Sequence, residues 1–551
     1  MTKKGAFTFV LHSHIPYTRQ AGRWPHGEEW IHEAIAETYI PLLDVLYDLQ
    51  SEGVPARLTL TLTPILLEQL ADEDIQANFV TYVDEKIEAA SQDIERFEKA
   101  KDEDMHALAK MYRDWYAGVR DRFIQRYKGD LIRAFRNLQN QRLIEIATSA
   151  ATHGYLPLLG RDESIDLQLR TAVESYKRHF GRSPRTIWLP ECAFRPGYIS
   201  PDGRERPGIE HFLEKYSIQS FFAETHMIEG GQPVGVAAGD AIGLYQSVTR
   251  RYHVPESRFD DTEPATTFLP YLVNDSNVAV MGRNNRTGLQ VWSGEWGYPG
   301  DYDYREFHKK DGNSGMQYWR VTGANVDLAD KAIYQPQVAA QKVMQHAEHF
   351  TQLVEEVLAE YQQASGKYGI VCSNYDTELF GHWWFEGVDW LRHVLRKLAD
   401  SESVELTTAS AYLNANPAQT SLALLEGSWG AGGTHFVWDN ADTAWMWPII
   451  HEAETRMLAA VEANPKARLV KRKILDQAAR ELLLLQSSDW PFLVTTGQAN
   501  DYATQRFREH VERFNMLLDS LDAGSPDEEL ADKLWERDKI FPEIDYRWFQ
   551  A

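Results

Sequence analysis

The chain has 551 residues, of which 43% are hydrophobic and 25% are charged, so its size predicts two or three domains of ordinary globular composition. Lys and Arg together number 57, Asp and Glu number 81, and the formal net charge is −24. This acidity argues against nucleic acid or an anionic membrane as a partner, because basic surfaces bind both. Only two cysteines occur, Cys192 and Cys372, which excludes a disulfide scaffold and favours a reducing, cytoplasmic location.

The first sixty residues alternate between strand and helix patterns. Gly5 to Leu11 predicts a buried strand, and His12 interrupts the apolar run too early for a signal peptide. Ile31 to Gln50 carries apolar residues at helical spacing, and Arg57 to Leu62 predicts a second strand. The chain has no apolar stretch of about 18 residues, so we expect no membrane span.

The composition changes over residues 66–143, which are rich in charged residues, helical in pattern and poor in glycine and proline. We interpret this stretch as a helical insertion between two strands of the main domain. The alternative is a series of ordinary crossover helices.

Strand patterns then resume at five places, mostly separated by stretches long enough for a helix. These places are Ile144–Ala151, Thr186–Leu189, Ser220–Ala223, Gln290–Trp292 and Lys367–Ser373. Strands that alternate with helices predict a parallel α/β architecture, and seven in series favour a barrel that is closed or incomplete. Functional groups should then lie at the carboxyl ends of the strands.

The last part of the chain returns to helical patterns, as in Arg472 to Gln486 and Asp501 to Leu521. We therefore predict a barrel domain formed by residues 1–65 and 144–405. The inserted helical domain spans residues 66–143, and a C-terminal helical domain over 406–551 packs against the barrel mouth.

Two carboxylates follow apolar strands. Glu191 comes directly after 188–190 (Trp-Leu-Pro), and Asp376 follows the run 368–371 and precedes several aromatic residues. A charge at the tip of an apolar strand is costly unless it has a function there. Two such carboxylates beside tryptophans suggest glycoside chemistry, in which one attacks and the other donates a proton. The alternative is a carboxylate that merely caps a helix, which fits Asp376 better than Glu191.

Three histidines follow the first and third predicted strands: His12, His14 and His153. Alone, this set suggests a zinc site. Hydrogen bonding to sugar hydroxyls and a structural role in the loops are the other interpretations.

Tryptophan is frequent, with 17 in the chain. Trp429 and Trp438 lie in a glycine-rich aromatic segment that makes a poor core and a good platform for a sugar ring. A second polar and aromatic cluster surrounds Asp489 and Trp490. We place that cluster beside the cleft.

The order of several motifs resembles glycoside hydrolase family 57, and most of all its 1,4-α-glucan branching enzyme subgroup. The motifs are His12-Ser-His-Ile-Pro-Tyr17, Ala151-Thr-His-Gly-Tyr-Leu-Pro157, Trp188-Leu-Pro-Glu-Cys192, Val291-Trp-Ser-Gly-Glu295 and Tyr375-Asp-Thr-Glu-Leu-Phe-Gly-His382. The resemblance covers nearly the whole chain. It extends to the C-terminal segments around Trp429, Trp438 and 488–490, which resemble the C-terminal parts of branching enzymes.

The resemblance implies an incomplete (β/α)7 barrel with a helical insertion and a C-terminal helical domain. It also implies a retaining mechanism without metal or cofactor, acting on an α-glucan such as amylose, amylopectin or glycogen. By motif position, Glu191 would be the nucleophile and Asp376 the general acid/base. The residues that would bind the glucan are His12, His14, His153, Trp24, Trp30, Trp292, His382, Trp429, Trp438 and Asp489.

The nearest rival functions are an α-amylase and a 4-α-glucanotransferase on the same scaffold, which differ in the acceptor. A metal-dependent deacetylase that uses the histidines, and a glucan-binding regulator with an inactive site, are rivals of other classes. Some branching enzymes of this family carry an aromatic residue at the tip of a lid. The segment 229–244, which could be this lid or a plain surface loop, has none, so hydrolysis could compete with branching.

Overall fold

The computed structural model describes residues 3–23, 25–201, 203–233, 259, 265–293 and 297–550. Its centre is a ring of seven parallel strands. They are β1 (Gly5–Ser13), β2 (Leu58–Leu62), β3 (Ile144–Ala147), β4 (Thr186–Ile187), β5 (Ser220–Ala223), β6 (Ala279–Gly282) and β7 (Gly369–Asp376). β1 is buried along its whole length and β7 along all but its last residue, which is why both consist of nearly continuous apolar sequence.

Neighbouring strands of the ring are paired to different extents. β1 pairs with both β2 and β7, and β2 with β3, while β5 pairs with β4 and β6. Two pairs of neighbouring strands are connected by a single β-bridge each. Thr148 pairs with Ile187 between β3 and β4, and Arg283 pairs with Cys372 between β6 and β7. The prediction of an incomplete seven-stranded α/β barrel is confirmed. The barrel is incomplete between β3 and β4 and between β6 and β7, where only one bridge forms.

The sixth strand differs from the prediction. Gln290 to Trp292 is the end of the helix Asn285–Trp292, and the strand is Ala279–Gly282. The Asn284 side chain accepts a hydrogen bond from the backbone N–H of Thr287, which caps the start of that helix. The prediction was wrong because a run of three residues has no period that distinguishes a strand from a helix.

Smaller strands extend the sheet edges. Val404–Leu406 pairs with the start of β1, Tyr271–Val273 is antiparallel to β6, and Ser421–Leu422 pairs with Tyr271–Val273. A short antiparallel pair joins Tyr198–Ile199 to Glu205–Arg206.

The helices fall into three groups. Around the barrel lie Glu28–Ala34, Ile40–Ser51, Asp162–Phe180, Ile209–Lys215, Thr225–Glu229, Asn285–Trp292, Pro336–Ser365, Gly387–Asp400 and Ala409–Ala415, and a π-helical turn, Ile35–Tyr39, connects the first two. Between β2 and β3 lie Pro64–Ala71, Glu73–Ala100, Glu103–Asp121 and Leu131–Asn140. The C-terminal group is Met446–Ala463, Leu469–Leu485, Asp489–Thr496, Asn500–Asp522 and Glu528–Arg537.

Both outer groups of helices share hydrophobic clusters with the barrel. One cluster contains Trp188 beside β4 together with Trp490 and Phe514 of the C-terminal helices. The second joins Phe9 of β1 to Phe79 of the inserted helices. Burial of each such aromatic side chain contributes about 1.5–3 kcal/mol, so the C-terminal helices are held firmly against one side of the barrel. Within the described part of the chain, no helix is both long and apolar enough to cross a membrane.

Candidate active site

A cavity of about 520 Å³ opens at the carboxyl ends of the barrel strands. Ten of the twelve predicted site residues line it. They are His12, His14, Trp30, His153, Glu191, Trp292, Asp376, His382, Trp429 and Asp489. Strands β1, β3, β4 and β7 deliver side chains to the same rim, as the barrel architecture requires.

Glu191 sits in a strained turn directly after β4. Its backbone is left-handed, with φ 62° and ψ 24°, and the next residue, Cys192, has φ 49°. A residue with a side chain rarely adopts this conformation, and such strain persists only where the surroundings enforce it. The backbone N–H of Trp429 donates to the Glu191 carbonyl at 3.1 Å, so the C-terminal segment contributes to holding the turn.

The Glu191 carboxylate accepts hydrogen bonds from two other parts of the chain. Trp429 donates its indole N–H to Oε2 at 2.8 Å, and Ser488 donates its hydroxyl to Oε1 at 3.1 Å. Burial raises the pKa of the Glu191 carboxyl to about 7, with the Asp489 charge adding to the shift and the two donors opposing it. These donors therefore keep a buried carboxylate ionisable near neutral pH.

His12 and His153 extend this arrangement into a directed chain. Burial, with the nearby His14 charge, lowers the pKa of both imidazoles well below the usual value, so each ring is neutral. Because Ser488 donates to Glu191, its oxygen accepts from His153 Nδ1, 2.8 Å away. His153 Nε2 then accepts from His12 Nε2 at 3.1 Å, which fixes the tautomers of both rings.

His14 differs from its two neighbours. Its Nε2 donates to Asp489 Oδ1 at 2.9 Å. Burial opposes the charged imidazole, but the Asp489 carboxylate outweighs it and raises the pKa of His14. The ring stacks on His153 with centroids 4.0 Å apart. Of the three histidines, His14 is therefore the one whose surroundings favour the imidazolium.

The geometry of these groups bears on the zinc interpretation. His14, His153 and Asp489 each offer a ligand atom, and these atoms lie within 4.8 Å of one another. However, both ring nitrogens of His153 are engaged, with His12 and Ser488, and those of His14 are engaged with Asp489 and Thr63. Two stacked rings also direct their nitrogens in parallel planes rather than toward one point. Because these nitrogens already have protein partners, the set does not fit a metal ion.

Asp376 ends β7, directly across the ladder from His12 of β1. Burial raises the pKa of its carboxyl well above the usual value, and the charges of Glu378 and Glu191 add to the shift while Arg283 opposes it. This shift favours the protonated carboxyl, the state that a general acid requires.

The predicted tryptophans separate into two kinds. Trp30, Trp292 and Trp429 line the cavity, whereas Trp438 is fully buried and stacks on Tyr155 with centroids 4.5 Å apart. A side chain without exposed surface cannot contact a glucan, so Trp438 supports the glycine-rich segment from inside. Trp24 lies outside the described residues.

Several cavity residues were not predicted: Glu33, Phe307, Lys310, Glu378 and Trp383. Glu378 accepts hydrogen bonds from the Tyr39 hydroxyl and from the His14 backbone N–H, and burial raises its carboxyl pKa to about 7. Glu378 lies within the motif 375–382, so the sequence did carry a signal for it. Glu33, Phe307 and Lys310 lie outside every motif that was singled out.

Two predicted features of the site fall partly or wholly outside the described residues. The candidate lid, 229–244, is described only as far as residue 233, and Glu295 of the motif 291–295 is not described. The side chains named above define the cavity without them.

Comparisons with known proteins identify the family. Residues 8–424 match the profile of glycosyl hydrolase family 57, and residues 449–549 match the profile of the 1,4-alpha-glucan branching enzyme C-terminal region. A 1,4-alpha-glucan branching enzyme of Thermococcus kodakarensis is 45% identical over 550 residues, which cover 98% of this chain and 77% of that protein.

Two solved structures are similar along their whole length. The crystal structure of the T. kodakaraensis branching enzyme in complex with glucose has a TM-score of 0.90 and 43% identity, covering 100% of this chain and 97% of that one. The alpha-amylase AmyC of Thermotoga maritima has a TM-score of 0.81 and 29% identity, covering 99% of both chains.

Proposed function

The chain belongs to glycosyl hydrolase family 57, and we propose that it is a 1,4-alpha-glucan branching enzyme. One observation carries this assignment to the site itself. Ser488 and Asp489 lie within the region that matches branching enzymes, and they contact Glu191 and His14 in the catalytic cavity. The region typical of branching enzymes thus supplies part of the proposed catalytic machinery.

In the first proposed step, the protonated Asp376 gives its proton to the glycosidic oxygen while the ionised Glu191 attacks the anomeric carbon. The α-1,4 bond breaks, and the donor chain becomes covalently attached to Glu191. The donor sugar lies against His12, His14 and His153, and Trp30, Trp292 and Trp429 line the cavity around it.

In the second proposed step, Asp376 acts as the base. It takes the proton of a glucan 6-hydroxyl, whose oxygen attacks the anomeric carbon, and Glu191 leaves as a carboxylate. Two displacements at one carbon retain the α configuration and create an α-1,6 branch. Amylose, amylopectin and glycogen supply both the donor and the acceptor chains.

Hydrolysis is the second candidate function. The similarity to the alpha-amylase AmyC extends over the whole chain, and the segment 229–244 has no aromatic residue. If water reaches the glycosyl-enzyme, the same two carboxylates yield a hydrolysed glucan.

Proton NMR of the reaction with amylose distinguishes these outcomes. We expect new α-1,6 linkages to accumulate well ahead of new reducing ends. Reducing ends alone would identify an α-amylase, and this result would refute the branching assignment.

A chelator tests the deacetylase alternative. Incubation with EDTA should leave the rate of branch formation unchanged, because the ring nitrogens of His14 and His153 are occupied by protein partners. Loss of activity that Zn²⁺ restores would instead support a metal site.

We also propose a cytoplasmic location, which the two free, buried cysteines support, and a division into the barrel, the insertion (66–143) and the C-terminal domain (406–551). A net charge of −24 suits a neutral glucan and disfavours nucleic acid as the partner.

A further inference from the structure

A branching enzyme needs room for two glucan chains around one catalytic centre. The groups described above surround Glu191 and suit the donor. A second set of side chains lines the same cavity and has no part in that network: Glu33, Phe307, Lys310 and His382. We refer to these four residues as the Lys310 cluster.

His382 is held in place from behind. Its Nδ1 donates to Oε2 of the buried Glu37 at 2.9 Å, and Arg305 donates to the His382 carbonyl at 3.3 Å. Gly381 has φ +104°, and a Cβ there would overlap the Glu37 carbonyl oxygen, so only glycine permits this approach. The imidazole Nε2 is 3.8 Å from Glu33, beyond hydrogen-bonding distance, which leaves that nitrogen available to a ligand.

Glu33 and Lys310 complete the cluster. The Lys310 ammonium lies 3.4 Å from Glu33 Oε1. The Phe307 ring meets the His382 ring edge to face, with centroids 5.2 Å apart. Lysine and imidazole N–H groups, a carboxylate acceptor and an aromatic ring are the groups that recognise a sugar through its hydroxyls and apolar faces. The charges of Glu33 and Lys310 offset each other, which suits a neutral ligand.

The chain connectivity places this cluster on the side of the general acid/base. Asp376 is the last residue of β7, and His382 lies six residues further along the chain. The acid/base faces both the departing sugar and the incoming acceptor, because it protonates one oxygen and deprotonates the other in turn. Side chains on this wall are therefore placed to contact the departing sugar and then the acceptor, rather than the sugar that is attached to Glu191.

We propose that Glu33, Phe307, Lys310 and His382 form the subsite that holds the acceptor glucan and presents its 6-hydroxyl to Asp376. This inference rests on the proposed branching function. Its consequence is that the cluster governs how the glycosyl-enzyme divides between glucan and water.

Adjacent lysines provide a matched pair for the test. Lys310 lines the cavity, whereas Lys309 donates to the carbonyl of Ala329 and lies over Trp319, away from the cavity. The variants Lys310→Met, Glu33→Gln and Lys309→Met are incubated with amylose, and proton NMR counts new α-1,6 linkages and new reducing ends. The sum of both products reports cleavage of the donor, and their ratio reports the choice of acceptor.

For Lys310→Met and Glu33→Gln, we expect the ratio of branches to reducing ends to fall about tenfold, as loss of a hydrogen bond to a charged group predicts. Lys309→Met should match the wild type in both the ratio and the sum. Lys310 is 43% exposed, so its replacement leaves the core intact, and thermal unfolding followed by circular dichroism verifies the fold.

An unchanged ratio in Lys310→Met and Glu33→Gln would overturn the acceptor assignment. A fall in the sum without a change in the ratio would also overturn it, since that pattern denotes a donor-side or structural role. If the wild type itself makes no α-1,6 linkages, the branching function has failed, and this outcome is distinct from failure of the subsite.

Discussion

The two carboxylates that we propose as catalytic, Glu191 and Asp376, are positioned in the same cavity by different parts of the fold. Asp376 is the last residue of the eight-residue strand β7, and its position follows from the register of β7 with β1. Glu191 follows a two-residue strand and depends on partners 238 and 297 residues away, Trp429 and Ser488. Among the described residues, none donates a hydrogen bond to the Asp376 carboxyl.

The barrel and the C-terminal region therefore affect different carboxylates. The barrel strands place Asp376, the proposed acid/base, and bury it, which raises the pKa of its carboxyl. The C-terminal region tunes the nucleophile, because its donors lower the cost of a charge that burial disfavours. Variants of the two regions should therefore fail in different ways.

The largest effect is expected for Glu191→Gln. This change preserves the shape of the side chain but removes the nucleophile, so kcat should fall by more than about 10⁴-fold. Affinity for amylose should remain, as measured by calorimetry. Full activity in this variant would show that the nucleophile is another residue.

Asp376→Asn should cost less, about 10²–10⁴-fold in kcat, because general acid–base assistance is lost while the nucleophile remains. A maltooligosaccharide with a good leaving group, such as a fluoride, should recover the first step because its departure needs no proton. If the fluoride reacts no faster than amylose, Asp376 is not the acid.

Trp429→Phe should shift the pH profile of kcat/KM. The wild-type profile should rise through about pH 7 as Glu191 ionises and fall at higher pH as Asp376 loses its proton. Removal of the indole N–H withdraws a donor that favours the carboxylate, so the Glu191 pKa rises and the acidic limb moves up by on the order of one pH unit.

Measurement of kcat/KM from pH 5 to 9 checks this shift. The Trp30→Phe variant is the control, because Trp30 lines the cavity but donates no hydrogen bond to either catalytic carboxylate among the described contacts. An unshifted acidic limb in Trp429→Phe would show that the C-terminal region does not tune Glu191.

Trp438→Phe should have the smallest effect on activity. Trp438 lies in the same segment as Trp429, but its ring is buried and its indole N–H has no hydrogen-bond partner within the described structure. We expect a loss of about 1–2 kcal/mol in the free energy of unfolding, measured by denaturant titration, with kcat/KM on amylose unchanged. A raised KM with unchanged stability would restore Trp438 to the glucan-binding surface.

The sequence predicted most of the barrel because buried strands consist of short apolar runs that alternate with helical stretches. Six of the seven strands were located in this way, and the carboxyl ends of those strands identified Glu191, Asp376 and the three histidines. The sixth strand was misplaced, since the three-residue run 290–292 has no period that distinguishes a strand from the end of the capped helix Asn285–Trp292.

The sequence by itself predicted the architecture, the family resemblance and the two carboxylates that we propose as catalytic, because each follows from local patterns and from their order along the chain. Only the tertiary structure decided what surrounds those groups. It places Trp429 and Ser488 within hydrogen-bonding distance of Glu191. It also places Glu33 and Lys310 beside His382 in the cavity, and it buries Trp438. Contacts between residues hundreds of positions apart leave no local pattern, since each partner is an ordinary polar or aromatic residue until the fold joins them.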